Sequence, residues 1–222
     1  MREIVLDTET TGLDPDQGHR LVEIAAVELI DHLPSGQSFH RYLNPERGMP
    51  EEAFRVHGLS AEFLRDYPLF GEVADELVAF LGDSRLVIHN AVFDLRFLNA
   101  ELTAHGREPL GPGRAIDTLQ LAQRRFPGAP NNLDALCRRF SVDNSARTRH
   151  GALLDCELLA EVYLHLLGGR QIGLGLAMPG QHRAAATVVR PVRPPRPHAP
   201  SAEELAVHAA FVAKLDDPIW LR

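Results

Sequence analysis

Residues 3–12, EIVLDTETTG, are the most informative part of this sequence for its fold. Its apolar run at 4–6 predicts a buried strand, and that strand ends in Asp7 and Glu9. Because alternate residues of a strand face the same side of a sheet, the two carboxylates project together. Like charges this close repel each other unless a cation lies between them, and Mg²⁺ and Mn²⁺ prefer carboxylate oxygen. The pair indicates a divalent metal site; the alternative is a solvated strand end without function.

Outward from this strand, apolar periodicity predicts an α/β domain that extends from residue 2 to about residue 169. The predicted strands are 3–8, 20–30, 37–43 and 85–89, and the predicted helices are 71–81, 92–105, 117–125, 132–140 and 151–167. Three strands in succession, followed by strands that alternate with helices, favour a mixed sheet flanked by helices.

The composition changes in the last part of the chain. Five prolines fall between residues 191 and 200, and no acid lies between 183 and 200, so an extended linker is predicted there rather than a core. Residues 201–222 then begin with a helix N-cap, Ser201, and carry apolar side chains as far as Trp220. This segment is predicted to dock on a partner protein. The alternatives are that it folds back on the domain or frays.

Charge and composition narrow the functional classes. The 222 residues carry a net charge of −7, which argues against a protein that coats nucleic acid through a broad basic surface. An enzyme that grips one strand end is still compatible with that charge. No apolar stretch approaches the roughly 18 residues of a membrane span, and the N-terminus lacks a signal-peptide core, so a cytoplasmic protein without membrane contact is expected. Cys137 and Cys156 lack metal-ligand spacing and are predicted to be reduced, buried thiols.

Two further acids occupy positions comparable to the first pair. Asp94 falls in the first turn of the helix that follows the fourth strand, where an acid can also be no more than a partner of the helix dipole. Asp155 opens the last helix of the domain, and His150 lies five residues before it. The histidine must therefore lie at or before the first turn if Asp155 is to point inward.

Four carboxylates and one histidine are the side chains that two-metal phosphodiester hydrolysis requires. Asp7, Glu9, Asp94 and Asp155 are predicted to hold two divalent metal ions, Mg²⁺ or Mn²⁺. His150 is predicted to be the catalytic residue that takes the proton of the attacking water. Nearby arginines are candidates for phosphate contacts or are simply solvated: Arg124, Arg125, Arg138, Arg139, Arg147 and Arg149.

These motifs resemble those of the DEDDh exonuclease superfamily. The resemblance is carried by Asp7-x-Glu9, Asn90-x-x-Phe93-Asp94 and His150-x-Ala152-x-x-Asp155. It implies a ribonuclease-H-like fold with a mixed five-stranded sheet. It also implies 3′→5′ removal of nucleotides from single-stranded DNA ends, with release of nucleoside 5′-monophosphates.

The stretches EAFRVHG at 52–58, LDALC at 133–137 and HGALLD at 150–155 resemble, more narrowly, the proofreading subunits of bacterial replicative DNA polymerases. That resemblance implies substrate contacts by seven residues: Asp7, Thr8, Glu9, Glu52, His57, Asn90 and Asp155. For Glu52 and His57 the assignment depends on the resemblance alone, because both read as polar residues in a loop between strand and helix.

The same resemblance implies partners and a division of the chain into three parts. Residues 1–169 are expected to be the exonuclease domain, 170–200 a flexible linker and 201–222 the segment that binds the polymerase catalytic (alpha) subunit, with Phe211 and Trp220 as anchors. Within the linker, residues 171–176 fit a sliding-clamp motif with Gln171, Leu174 and Leu176 as its contacts. A small accessory subunit is a further possible partner.

Two alternatives stay open from the sequence. One is an RNA exonuclease of the same superfamily that trims tRNA or short oligoribonucleotides, although such enzymes generally lack a linker and docking tail. The other is a scaffold between polymerase and clamp with vestigial activity. The presence of every predicted catalytic acid and of His150 argues against this second alternative.

Overall fold

The structure is a computed structural model that describes residues 1–147, 149–169 and 199–216. The chain divides into two compact units, Met1–Leu174 and Gly175–Arg222. The predicted clamp motif, most of the predicted linker and the predicted anchor Trp220 lie outside the described residues.

A five-stranded mixed sheet forms the centre of the first unit. Its strands are β1 (Arg2–Thr10), β2 (Leu21–Ile30), β3 (Leu33–Tyr42), β4 (Arg85–Ile88) and β5 (Ala115–Asp117), in the order β3-β2-β1-β4-β5. The first three strands pair antiparallel, whereas β4 pairs parallel with β1 and with β5. The predicted mixed sheet is confirmed. β5 has three residues, which are too few to show periodicity, and its last residue, Asp117, falls within the helix predicted at 117–125.

The helices of the described residues are α1 (Glu51–His57), α2 (Ala61–Leu64), α3 (Phe70–Leu81), α4 (Ala91–Ala104), α5 (Thr118–Arg125), α6 (Leu133–Phe140), α7 (Ala152–Leu166) and α8 (Ala202–Val212). Five of them, α3 to α7, agree with the predicted helices to within two residues at each end. The prediction that Glu52 and His57 lie in a loop was wrong, because both belong to α1. That helix has seven residues, about two turns, which is too little for an apolar period to be recognised.

Alternation along the central strand separates two cores. Ile4 and Leu6 face α3 and α4, while Val5 faces the layer formed by α5, α6 and α7. All three side chains are fully buried, and burial of a side chain of this size contributes roughly 1.5–3 kcal/mol. Asp7 and Glu9 continue the odd-numbered series of Val5, so they point towards α7.

The sheet topology brings three chain segments to one edge. Because β1 and β4 are parallel, the end of β1 and the start of α4 lie side by side. Asn90 makes the turn between β4 and α4 with a left-handed backbone, φ 69°, which asparagine tolerates better than most residues. The start of α7 reaches the same edge from the opposite side of the sheet, and this edge is where the predicted acids meet.

The two cysteines are free and buried, as predicted. Cys156 lies under β1 and β2, where its thiol donates to the carbonyl oxygens of Val5 and Ala25. Among the described helices, none is both long and apolar enough to cross a membrane.

In the second unit, residues 199–216 are described, and they contain α8. Ser201 caps it as predicted: its hydroxyl accepts from the Glu204 backbone N–H at 3.2 Å, and the Glu204 carboxylate accepts from the Ser201 N–H at 2.8 Å. Leu205, Val207 and Phe211 are exposed on this helix. A surface helix with exposed apolar side chains is typical of a docking segment.

Candidate active site

The end of β1 carries the first two acids. Asp7 and Glu9 share one face of the sheet, and Glu9 pairs with Glu23 on the neighbouring strand β2. Glu9 is buried and Asp7 is half-buried. Little water is therefore available to offset the negative charge of these carboxylates, which makes the pair costly without a cation.

Asp94 lies in the first turn of α4 and is buried, with 3% of its surface exposed. The Thr8 hydroxyl donates a hydrogen bond of 2.7 Å to Asp94 Oδ1. Thr8 is predicted to contact substrate, and in the structure it also orients the Asp94 carboxylate. Its side chain lies on the face of β1 opposite to that of Asp7 and Glu9.

Asp155 lies in the first turn of α7 and is also buried. It points inward as predicted, and Arg147 binds both of its oxygens: Nε to Oδ1 at 2.5 Å and Nη2 to Oδ2 at 2.6 Å. The N-termini of α4 and α7 both face this edge of the sheet, and their positive dipole ends favour negative charge there.

Asp7, Glu9, Asp94 and Asp155 together form what we call the acidic cluster. Burial, followed by the charges of Asp94 and Glu9, raises the pKa of Asp7 well above its ordinary value. Burial and the charge of Asp155 raise the pKa of Glu9 to about 8. Burial raises the pKa of Asp94 to about 7, although the hydrogen bond from Thr8 opposes the shift. At neutral pH the acidic cluster therefore retains protons that it would release to a cation.

Asp155 differs from the other three acids. Burial favours its neutral form, but the hydrogen bonds and positive charge of Arg147 outweigh burial and lower its pKa. One carboxylate of the acidic cluster is thus ionised because a cation, the Arg147 guanidinium, already lies against it. The oxygen-only donors and this stand-in cation show that the residues present fit divalent metal ions.

His150 lies before the first turn of α7, where the sequence placed it. Half of its side-chain surface is exposed, and its Nδ1 lies 3.5 Å from Asp155 Oδ2. One ligand atom each of Glu9, His150 and Asp155 lie within 4.8 Å of one another. The His150 backbone N–H donates to the carbonyl of Val56 in α1 at 3.2 Å, which ties this loop to the neighbouring helix.

A cavity of about 460 Å³ opens beside the acidic cluster. Glu9, Glu52, Val56, His57 and Phe93 are among the residues that line it. The structure therefore brings Glu52 and His57 to the site, as the resemblance implied, although on a helix. The predicted contact Asn90 is exposed at the β4–α4 turn and is not among the residues that line this cavity.

His57 is buried in the cavity wall. Its Nδ1 accepts from the Leu59 backbone N–H at 3.0 Å, so the ring proton of the neutral form is on Nε2. That Nε2 atom has no hydrogen-bond partner among the described residues, and burial lowers the pKa of the ring. The Nε2 atom is itself buried, so a ligand in the cavity reaches this donor only if the ring or its neighbours move.

Sequence reasoning missed two supporting residues. Glu23 is buried beside Glu9, and His40 Nε2 lies 2.7 Å from its Oε1. The signal was available, since Glu23 interrupts an otherwise apolar stretch at 21–27. The sequence presents Arg147 only as one of six candidate arginines, because its pairing with Asp155 depends on how the loop before α7 folds back.

Comparison with known proteins agrees with this geometry. The sequence profile of a family described as exonuclease matches residues 4–163. The DNA polymerase III subunit epsilon of Rickettsia felis is 58% identical over 174 residues, which cover 77% of this chain and 76% of that protein. The corresponding subunit of Rickettsia typhi is 49% identical over 222 residues, which cover 97% of each chain.

Solved structures give the same fold. Exonuclease X in complex with 5′ overhanging duplex DNA has 27% identity and a TM-score of 0.57, over 74% of this chain and 90% of that chain. The nuclease domain of 3′hExo, a DEDDh family member bound to rAMP, has 19% identity and a TM-score of 0.63, over 75% and 91%. The predicted ribonuclease-H-like fold with a mixed five-stranded sheet is confirmed.

Proposed function

This chain is a member of the exonuclease family and belongs with the DNA polymerase III epsilon subunits, and from that membership we propose that the acidic cluster and His150 form its hydrolytic centre. The protein is a 3′→5′ exonuclease and the proofreading subunit of a replicative DNA polymerase. The observation that carries the site assignment is the meeting of four acids from β1, α4 and α7, three of them with raised pKa values.

The acidic cluster would hold divalent metal ions, which this exonuclease family generally requires. We propose two ions, Mg²⁺ or Mn²⁺, because four carboxylates offer more oxygens than one ion needs. Bound there, the ions would supply positive charge that lowers the pKa of the attacking water and offsets the charge developing on the phosphodiester.

His150 is suited to accept the proton of the attacking water. It is the exposed member of the Glu9–His150–Asp155 group, so both substrate and solvent can reach its ring. A neutral imidazole accepts a proton at physiological pH, and in an exonuclease this histidine would act as the general base. Proton transfer of this kind typically accelerates a reaction about 10²- to 10⁴-fold.

The cavity beside the acidic cluster is suited to the terminal nucleotide. Val56 and Phe93 give it apolar surface for a base or sugar. His57 in its wall carries a buried Nε2–H without a partner among the described residues, which would donate to a sugar or phosphate oxygen once the ring is uncovered. Glu52, also in its wall, supplies an acceptor for a hydroxyl group. Hydrolysis of the bond between the 5′ phosphorus of the terminal nucleotide and the 3′ oxygen of the preceding nucleotide would release a nucleoside 5′-monophosphate and leave a new 3′ hydroxyl on the strand.

The test is Mg²⁺-dependent digestion of a 5′-labelled primer–template with a 3′-terminal mismatch, run beside an all-RNA oligomer. Stepwise shortening of the DNA, faster than of the RNA and lost in His150→Ala, supports the proposal. His165→Ala is the matched control, because His165 lies at the other end of α7, stacked on Phe140 at 5.1 Å, and should retain full activity. Faster loss of RNA would assign an RNA-trimming enzyme, and no cleavage of either would leave only the scaffold function.

We also propose that residues 201–222 bind the polymerase catalytic subunit. Support comes from α8, where Phe211 has 57% of its surface exposed and offers an apolar anchor. Removal of residues 201–222 should abolish co-elution with the catalytic subunit and leave hydrolysis unchanged. Phe211→Ala should weaken the association, whereas His208→Ala on the same helix should not, and retained co-elution of the truncated protein contradicts the assignment.

The clamp contact through residues 171–176 is likewise proposed from sequence. Gln171→Ala combined with Leu174→Ala should weaken binding to the sliding clamp in a direct binding measurement without changing hydrolysis. A small accessory subunit and a cytoplasmic location follow from the same membership and are proposals of the same kind.

A further inference from the structure

We propose that Arg147 is a built-in competitor of the metal: in the metal-free enzyme its guanidinium occupies Asp155 and His150, and a divalent ion must displace it to complete the site. The proposal rests on the proposed function, because it concerns the same acidic cluster. Beyond that function, it assigns a role to Arg147: the Asp155 carboxylate exchanges its arginine partner for a metal ion.

Among the described residues, the guanidinium has four polar contacts, of which two are to Asp155. Nε and Nη2 bind the two oxygens of Asp155 at 2.5 and 2.6 Å, as a planar fork binds a carboxylate. Nη1 lies 2.7 Å from Asp134 Oδ1, and Nη2 donates to His150 Nδ1 at 2.9 Å. Only 6% of the Arg147 side-chain surface is exposed. An arginine held this completely is part of the site rather than a solvated surface residue.

Both oxygens of Asp155 are used by this fork. A metal ion at Asp155 would need at least one of them in a geometry that the guanidinium occupies. Asp155 is also one of the three residues, with Glu9 and His150, whose ligand atoms lie within 4.8 Å of one another. The guanidinium therefore lies against two of these three residues, Asp155 and His150.

His150 is held by the same contact. Arginine has no acceptor atom, so the hydrogen bond to His150 requires the Nδ1 lone pair, and the neutral ring then carries its hydrogen on Nε2. Neither ring nitrogen has a free lone pair in this arrangement. Release of Arg147 would therefore free a metal ligand and the predicted general base together.

Asp134 gives the displaced guanidinium a place to remain. It lies in the first turn of α6, outside the acidic cluster, and 44% of its side-chain surface is exposed. When Asp155 is taken by a metal ion, Arg147 can keep its contact with Asp134. The exchange then needs movement of one side chain and leaves no buried charge without a partner.

The first experiment is a calorimetric titration of the full-length, metal-free protein with Mn²⁺ alone. Arg147→Met removes the competing charge and keeps most of the side-chain length, so Mn²⁺ should bind at least about tenfold more tightly, or about 1.4 kcal/mol. Arg147→Lys keeps a charge but lacks the fork and should give an intermediate affinity. Arg149→Met is the matched control in the same loop; Arg149 lies over the Phe54 ring at 5.7 Å, and its loss should not change the affinity.

A second measurement follows the arginine itself. In ¹⁵N spectra, the Nε–H of Arg147 should be protected from exchange in the metal-free protein and lose that protection when Mg²⁺ saturates the site. Arg147→Lys, which retains the charge, covers the case in which Arg147→Met fails to fold. Persistence of the protected Nε–H in saturating Mg²⁺ would overturn the proposal.

The outcomes separate this inference from the proposed function. If wild type degrades DNA while Arg147→Met and Arg147→Lys bind Mn²⁺ no more tightly than wild type, Arg147 is only structural and the exonuclease assignment stands. If wild type neither binds Mn²⁺ nor degrades DNA, both proposals fail. Tighter Mn²⁺ binding by the variants supports the competitor role whatever their rates of hydrolysis.

Discussion

The two ends of β1 carry buried acids on the same face, and their surroundings differ completely. Glu3, at the beginning of the strand, is 1% exposed; it accepts from the Tyr163 hydroxyl at 2.9 Å, and His32 Nδ1 lies 2.6 Å from its other oxygen. Asp7 and Glu9, at the other end, meet further acids instead. The first carboxylate is satisfied within the protein, whereas the second pair requires something from outside.

Helix α7 contributes a side chain to each end of β1. Asp155 and Tyr163 lie eight residues apart on α7, which is about 12 Å along the helix. Glu3 and Asp7 lie four residues apart on β1, which is about 14 Å along the strand. Because these spans match and the helix runs opposite to the strand, α7 delivers an acid to the catalytic end and a hydroxyl donor to the structural end. Burial alone does not identify a functional carboxylate; its partners do.

The largest effect on hydrolysis is expected for Asp7→Ala, at the catalytic end of β1. Loss of one of four carboxylates should reduce hydrolysis at least about a thousandfold, because it removes oxygens that hold the metal ions. The metal-free protein should melt at the same or a higher temperature, since repulsion within the acidic cluster is relieved. A clearly lower metal-free melting temperature would show that Asp7 stabilises the fold, as Glu3 does.

The pH dependence of stability should also distinguish the two ends. Glu9 and Asp94 have folded-state pKa values of about 8 and 7, above their ordinary values of 4.5 and 3.8. Between about pH 4 and pH 8 the folded state therefore binds more protons than the unfolded state, so metal-free stability should fall as the pH rises. Saturating Mg²⁺ should abolish this fall, and Glu9→Gln should reduce it. A metal-free melting temperature that rises between pH 5 and pH 8 contradicts the description of the acidic cluster.

At the structural end, Tyr163→Phe should lower the free energy of unfolding by roughly 1–3 kcal/mol, because it leaves a buried oxygen of Glu3 with one partner fewer. Urea denaturation measures the loss. The rate of hydrolysis under conditions where the protein is folded should not change. A large loss of activity without loss of stability would mean that the two ends of β1 are not independent.

The smallest effect is expected for Thr8→Val. This change keeps the shape of the side chain but removes the hydrogen bond to Asp94. Loss of that bond should cost about 1 kcal/mol and lower the rate of hydrolysis about fivefold. Thr10→Val, on the same face of β1, is the matched control, because the Thr10 hydroxyl donates to the Gly12 carbonyl and not to the acidic cluster. Equal rates for both variants would show that Thr8 does not position Asp94.

Much of the fold and of the candidate site could be predicted from sequence because both depend on local periodicity. The apolar run at 4–6 and the alternation after it place Asp7 and Glu9 on one face of the sheet. The same reasoning failed for α1, which is short and has exposed apolar residues, and for β5, which has three residues. Such elements exist because of what they pack against, and a local pattern does not record that.

Local patterns in the sequence were enough to predict four of the five strands, helices α3 to α7, the shared face of the first two acids, the positions of Asp94 and Asp155 in first turns, and the exonuclease family. Which polar side chains become partners depends on the three-dimensional packing: Tyr163 with Glu3, His40 with Glu23, and Arg147 with Asp155. The difference arises from the separation of the interacting residues along the chain. Strand alternation and helix periodicity act over a few residues, whereas these pairs join residues 160, 17 and 8 positions apart and form only when the sheet, α7 and the loop before it have closed around one another.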